Sequence, residues 1–174
     1  MAAASVTAVV AAAGSGERLG AGGPKAFVPL AGRPLVEWSI AALRAAAGVR
    51  SIVVACPPGH LDDLAGEDLR AVEGGATRAR SVANALEAVE TELVAIHDAA
   101  RPLLAPELVE GTVATLLADP EADGAIAAAP VADTLKRAHP TGRVSSFDAH
   151  RVHKSPLVVQ GTLDRSELWA AQTP

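Results

Sequence analysis

From Val6 to Ala129, short apolar runs alternate with stripes of helical period, and this alternation restricts the chain to a small set of architectures. Val6–Ala12 is an apolar run that ends against a glycine-rich stretch and reads as a buried strand. Leu35–Ala47 carries Val36, Ile40 and Leu43 at i, i+4 and i+7, the stripe of an amphipathic helix. Ser51–Cys56 is a β-branched strand stopped by Pro57 and Pro58, and a shorter helix and strand are expected around His60–Ala65 and Leu69–Val72. Thr77 is placed to cap a helix whose stripe is Val82, Leu86 and Val89. Leu93–His97 reads as another strand, Pro106 opens a helix through Leu117, and Gly124–Ala129 is the fifth strand candidate. Strands alternating with helices of about 10–15 residues predict a three-layer α/β fold with a mostly parallel sheet covered on both faces. Ligands of such sheets sit beyond the carboxyl ends of the strands, so chemistry is expected in the loops that follow them.

A chain of 174 residues suits one domain with a sizeable core, here taken as 1–174. Lys and Arg number 15 against 20 Asp and Glu, a formal charge of −5, which argues against a nucleic-acid binder that depends on bulk positive charge. Local basic sites for an anionic small molecule stay open. Cys56 is the one cysteine, so there is no disulfide framework, and a reducing cytoplasm fits best. The 39 alanines blur hydrophobic periodicity, because alanine fits either face. The alanine-rich start lacks a basic n-region and is interrupted at Gly14, Gly16, Glu17 and Arg18, unlike a signal peptide. No window approaches about 20 uncharged apolar residues, so no membrane span is expected.

Residues 138–164 break the rhythm, with two prolines, two glycines and three of the five histidines. A structureless loop this long inside a compact domain is uncommon, which leaves a functional segment, disorder or an interaction arm.

The first loop reads Ala11 through Gly14, Ser15, Gly16, Glu17, Arg18, Leu19 and Gly20, then Gly22, Gly23, Pro24 and Lys25. Glycines directly after a first strand let backbone N–H groups approach and cradle phosphates. Arg18 and Lys25 add fixed positive charge suited to a polyphosphate. The loop is neither a Walker A motif, since Gly-Lys-Ser/Thr is missing, nor a dinucleotide fingerprint, since position 19 is Leu. A kinase or a dehydrogenase is therefore disfavoured.

The glycine pair followed by Arg and then Pro-Lys resembles the first loop of the sugar-nucleotide-type nucleotidyltransferases. Within them, later motifs resemble the 2-C-methyl-D-erythritol 4-phosphate cytidylyltransferases of non-mevalonate isoprenoid biosynthesis (the MEP pathway). These are Gly74-Gly75 with Arg78 and Ser81-Val82; His97-Asp98-Ala99-Ala100-Arg101-Pro102; and Ala129-Pro130-Val131 with Asp133-Thr134-Leu135-Lys136. Leu163-Asp164-Arg165, Leu168-Trp169 and Gln172-Thr173-Pro174 follow in the family's order. The resemblance covers nearly the whole chain, and the His97–Pro102 hexapeptide is its most discriminating piece.

The resemblance implies a Rossmann-like nucleotidyltransferase fold and transfer of CMP from CTP to methylerythritol phosphate with release of pyrophosphate. It implies Arg18 and Lys25 as transition-state stabilisers, and Arg165 as the group orienting the attacking phosphate. Nucleotide recognition falls to Ala12, Ala13, Gly14, Gly16, Gly75 and Ser81, and substrate contacts to Asp98, Arg101 and Thr134. Asp98 also matches the carboxylate that holds Mg²⁺, a cation that favours oxygen ligands and substrate phosphates. The family's arm implies a homodimer through 138–164. The implied partners are CTP and methylerythritol phosphate, with neither nucleic acid nor membrane.

Other readings stay open at this point. Asp98 and Arg101 can form a local ion pair closing a turn, Ser81 can face solvent, and Asp133 can be a cap. Lys136 and Arg137 suit a solvated face. His139, His150 and His153 lack a familiar zinc spacing, so a metal cluster is disfavoured. Trp169 suits core or interface packing, and His97 a structural role. Two departures from the family's pattern stand out. Phe147 through Gln160 reads as extra sequence in the arm, and the family continues past Pro174 for roughly another quarter of its length, including a second catalytic lysine. A ribitol-phosphate or other sugar-phosphate nucleotidyltransferase, and an inactive nucleotide-binding or dimerisation fragment, are the alternatives.

Overall fold

A computed structural model describes residues 4–16, 23–140, 157–166 and 168–171. The chain divides into two units, one built on Met1–Ala125 and the other on Ile126–Thr173.

In the first unit, β1 (Val6–Ala11), β4 (Val49–Cys56), β5 (Leu69–Glu73) and β6 (Leu93–Asp98) form a parallel sheet in the order β5-β4-β1-β6. A small antiparallel pair, β2 (Pro29–Leu30) and β3 (Arg33–Pro34), precedes helix α1 (Leu35–Ala45). Ala31 and Gly32 turn it with φ of 52° and 80°. Helices α2 (Arg78–Leu86) and α3 (Pro106–Ala118) follow β5 and β6.

The inner strands β1 and β4 are buried on both faces, which is why they read as nearly continuous apolar runs. Ala8, Val10, Ile52, Val54 and Cys56 pack with Val36, Ile40 and Leu43 of α1. Val9, Val53 and Ala55 face the other way, against Ala85 of α2 and Val89 beyond it. Each fully buried Val, Ile or Leu contributes about 1.5–3 kcal/mol, so these two layers hold the unit together. Burial also pushes the Cys56 thiol up to about 11, with a smaller push from the charge of Asp63. At the amino ends of the strands, the buried Thr7 hydroxyl bonds Ser51 Oγ at 2.9 Å and Thr91 Oγ1 at 2.8 Å. This hydroxyl cluster knits β1, β4 and the approach to β6 at the end away from the loops of interest.

The expected helix stripe on α1 is the buried one. On α2 the buried residues are Ser81, Val82 and Ala85, while Leu86, expected in the stripe, is 42% exposed. The small Ser81 and Ala85 let α2 lie close to the sheet, and this rotates Leu86 to the rim. Thr77 caps α2 as expected, its hydroxyl accepting from the Arg80 N–H at 3.1 Å. Thr77→Ala is expected to cost about 1 kcal/mol, read as a lower urea midpoint at unchanged m-value. Pro106 stands at the start of α3, where its missing N–H is harmless.

The helix expected at His60–Ala65 is not formed; turns run through it. Pro57, Pro58 and Gly59, the last with φ of +85°, hold the backbone out of helical geometry, and six residues are too few to offset nucleation. Beside this loop, Arg44 of α1 grips Asp68 bidentately at 2.7 and 2.8 Å. The hydrogen bond from Arg44 holds the Asp68 carboxyl below its ordinary 3.8. A depressed carboxyl contributes stability above that ordinary value and loses it as pH falls through the folded one. Both side chains are well exposed, so Asp68→Asn is expected to cost only about 0.2–1 kcal/mol at neutral pH. The difference should shrink as the pH at which unfolding is measured is lowered from neutral through the carboxylate range.

In the second unit, β7 (Ala128–Pro130) pairs antiparallel with β10 (Trp169–Ala171), and β8 (Lys136–Pro140) with β9 (Leu157–Thr162). Gly124–Ala129, expected as a fifth strand of the parallel sheet, does not join it. Only Ala128–Pro130 is extended, in the separate antiparallel pair. Glycine and alanine have low strand propensity and Pro130 lacks a ladder donor, so little of that segment can sustain pairing. The break in rhythm at 138–164 contains paired strand at both ends, including 157–160 of the expected insertion. Residues 141–156, with His150 and His153, lie outside the described residues. Trp169, expected in core or interface packing, is 60% exposed, which removes the core half of that expectation.

Candidate active site

The sheet order itself nominates a crevice. From β1 the chain moves outward to β4 and β5, then returns across β1 to β6, with α1 and α2 on opposite faces. The order reverses between β1 and β6, and open α/β sheets bind ligands outside the carboxyl ends of strands at such a switch point.

At that point the loop after β1 is held from several sides. Ala12 donates to the Ala55 carbonyl at 2.9 Å, and Ala99 donates back to Ala11 at 3.1 Å. The Lys25 N–H donates to the Gly14 carbonyl at 3.3 Å, which closes the glycine-rich loop into a ring. Gly16 has φ of +75°, and a Cβ there would stand 2.7 Å from the Gly23 oxygen and 2.8 Å from the Lys25 nitrogen. Only glycine permits that approach. Lys25 then begins a short 3-10 turn, Lys25–Phe27, whose Ala26 is buried. Arg18 lies outside the described residues.

The loop after β5 closes on the first one. The Gly74 N–H donates to the Cys56 carbonyl at 2.8 Å, and a Cβ on Gly74 would stand 2.2 Å from the Ala13 Cβ. Ser81, 3% exposed, does not face solvent. Its hydroxyl accepts from the Gly75 N–H at 3.0 Å and lies 3.3 Å from the Gly75 oxygen and 3.1 Å from the Thr77 oxygen. With its single proton committed to a carbonyl, Ser81 shapes the Gly75 backbone and retains one lone pair for anything else.

The third contribution comes from the end of β6. Asp98 forms the turn ion pair considered for it, with Arg101 Nε 3.8 Å from Oδ2 and the Arg101 N–H donating to the Asp98 carbonyl at 3.0 Å. Arg78, given no role by sequence reasoning, reaches the same carboxylate, Nε to Oδ1 at 2.9 Å. Its one available signal was its place just inside the α2 cap, at the same end of the sheet as the Asp98 turn. Two guanidinium groups around one carboxylate leave a net positive surface, suited to an anion. His97 braces this turn. Its Nε2 is 3.1 Å from the Arg101 oxygen and 3.3 Å from the buried Ser39 hydroxyl, so that nitrogen carries the proton. Burial pushes the imidazole below its usual range against the pull of the Arg101 carbonyl.

In the second unit, Arg165 donates to the carbonyls of Ala132 and Asp133, the latter at 3.2 Å, which sets it beside exposed Thr134. Lys136, read as part of a solvated face, donates to the Thr162 hydroxyl.

The donor chemistry bears on Mg²⁺. Asp98 is a single carboxylate, and among the described residues no three or more His, Cys, Asp or Glu are grouped so as to hold a metal ion. That suits a cation which keeps waters and takes its other ligands from substrate phosphates, rather than one held by a protein cage.

The family model described as IspD, 2-C-methyl-D-erythritol 4-phosphate cytidylyltransferase, matches residues 6–174. The chain belongs to this family. A 2-C-methyl-D-erythritol 4-phosphate cytidylyltransferase of Cereibacter sphaeroides is 44% identical over 176 residues, covering 96% of this chain and 70% of that protein. One from Frankia casuarinae is 46% identical over 144 residues, covering 80% and 53%. The crystal structure of the Thermus thermophilus cytidylyltransferase aligns with a TM-score of 0.65 at 33% identity, over 98% of this chain and 68% of that one. The α/β fold with a mostly parallel sheet is thus that of the IspD nucleotidyltransferases. No helix among the described residues is long and apolar enough to cross a membrane.

Proposed function

We propose that this chain transfers CMP from CTP to 2-C-methyl-D-erythritol 4-phosphate, giving 4-diphosphocytidyl-2-C-methyl-D-erythritol and pyrophosphate. A phosphate oxygen of the sugar-alcohol phosphate attacks the α-phosphorus of CTP, the bond to the β-phosphate oxygen breaks, and pyrophosphate leaves. Two anions must meet, so catalysis rests on positioning and charge neutralisation.

The loop backbone at Ala12–Gly16 and Gly75 frames the nucleotide, with Ser81 holding Gly75 in place. Lys25 and Arg18 face the triphosphate and stabilise charge as it moves toward the leaving group. Asp98 would hold Mg²⁺ together with the phosphates; when bound, the cation supplies charge neutralisation across them. Arg78 and Arg101, which flank Asp98, would add positive charge beside those phosphates. Arg101 contacts the sugar phosphate; for Thr134 and Arg165, on the second unit, the support for roles at the attacking phosphate is the match to the family's motif alone.

The observation that carries the reading is the hydrogen bond from Ala99, in the Asp98–Arg101 turn, to Ala11, where the glycine-rich loop leaves β1, at the switch point between β1 and β6. The antiparallel ribbon of β8 and β9 supports an arm at 138–164 through which the chain forms a homodimer, and its working place is the cytoplasm.

The test is pyrophosphate release with CTP and Mg²⁺, comparing methylerythritol phosphate with ribitol phosphate, beside calorimetric CTP binding. Release with methylerythritol phosphate alone supports the assignment. Release with ribitol phosphate alone replaces the substrate, and CTP binding without turnover makes the chain a nucleotide-binding module. Sedimentation as a monomer at micromolar concentration overturns the dimer.

A further inference from the structure

The loop after β4 carries a cluster that the mechanism above leaves unused. His60 stacks on Phe27 with ring centroids 4.2 Å apart and planes inclined by 29°. Its Nδ1 lies 2.7 Å from Asp63 Oδ2, and its backbone N–H donates to the Pro57 carbonyl at 3.2 Å. Pro57, Pro58 and the positive φ of Gly59 fix the path of the chain into this residue. The bond to Asp63 limits rotation of the imidazole, while the contact with Phe27 is made by the ring itself.

Phe27 closes the 3-10 turn that Lys25 opens. A single 3-10 turn has poor hydrogen-bond geometry and does not support itself. Here it relies on Phe27 N–H to Pro24 at 3.0 Å, Val28 N–H to Lys25 at 3.3 Å and Lys25 N–H to Gly14 at 3.3 Å. Ala26 is buried beneath it and Phe27 packs at the edge of the α1-facing core. Ala26 anchors the turn radially, but a methyl group cannot stop it from rolling. The Phe27 ring, held flat against His60, can. Rolling would swing the Lys25 stem, and a misplacement of about 1 Å in a catalytic group costs on the order of 100-fold in rate.

We propose that His60 is a positioning residue for Lys25, acting through the Phe27 ring. The inference rests on the reading of Lys25 as a charge-stabilising group, and it assigns His60 no contact with substrate.

Hydrogen exchange followed by mass spectrometry tests it on this chain without requiring turnover. His60→Ala is expected to speed exchange about tenfold in peptides covering residues 24–28, with peptides from β1 and β4 unchanged. His60→Phe, which keeps a ring for Phe27, is expected to restore protection. In pyrophosphate release, His60→Ala should lower kcat about tenfold with KM for CTP unchanged, and His60→Phe should recover most of it. Unchanged exchange at 24–28 in His60→Ala, or a rise shared by the whole sheet, overturns the proposal. So does a kcat loss that His60→Phe fails to recover. Lys25→Ala runs beside these variants: if it turns over normally, the reading of Lys25 has failed, while the exchange data still decide whether His60 holds the turn.

Discussion

Lys25→Ala is expected to lower kcat for pyrophosphate release by about 10²–10³-fold, the usual cost of removing one preorganised charge from a developing anion. KM for CTP should move much less, because the proposed site spreads nucleotide binding over many backbone groups of the Ala12–Gly16 loop. The fold should be indifferent to the change. Lys25 is held in its turn by backbone bonds to Gly14 and Val28, both of which alanine keeps, and its neighbour Ala26 supplies the buried contact. Thermal unfolding within a degree or two of wild type, alongside the rate loss, is therefore the expected pair of results. Undiminished release by the variant would remove Lys25 from the mechanism, and a large drop in melting temperature would make its role structural.

The second large effect falls on a residue with no side chain. At Gly74 a methyl group would stand 2.2 Å from the Ala13 Cβ, 3.1 Å from the Ser81 hydroxyl and 3.2 Å from the Cys56 oxygen. None of these is the free end of a flexible chain, so Gly74→Ala must push the loop after β5 away from the loop after β1. Overpacking of this kind costs about 1–3 kcal/mol. CTP affinity should fall at least tenfold as well if, as proposed, the two loops frame the nucleotide. Gly14 is the control: nothing lies within 4 Å of a Cβ built there, so Gly14→Ala should unfold at nearly the wild-type denaturant concentration. Equal unfolding midpoints for the two variants would mean that the loops do not touch as described.

Local features of the fold were open to sequence reading because their causes are local. A β-branched run ended by two prolines can only stop, as Ser51–Cys56 does, and a threonine ahead of a helical stripe finds the Arg80 N–H without help from the rest of the chain. Alanine removes that advantage. Among the glycine and four alanines of Gly124–Ala129 only Ile126 prefers a face, too little to set a period, so its pairing is decided by tertiary partners far along the chain.

The site divides in the same way. The glycine loop and the Asp98–Arg101 turn are contiguous in sequence and stand out as motifs. Arg78 and Asp98 are 20 residues apart, and Phe27 and His60 come from loops after different strands. No spacing rule joins either pair, because the sheet order that brings them together depends on the sense of each crossover. The Ser81 hydroxyl shows a subtler limit. Its residue type suggests ligand recognition, yet only burial reveals that its proton is spent on the backbone of its own loop.

The position of β1 at the centre of its sheet has a consequence during synthesis. Thr7 and its partner Thr91 are separated by 84 residues. At about 5–20 residues per second, a translating ribosome needs roughly 4 to 17 s to cover that distance. Throughout that interval the uncharged segment Val6–Ala11 lacks the neighbour on its β6 side, with its backbone donors and acceptors open to any extended chain nearby. The strand that ends as the most protected element of the unit thus begins as its most adhesive nascent stretch, and a natural point for chaperone engagement.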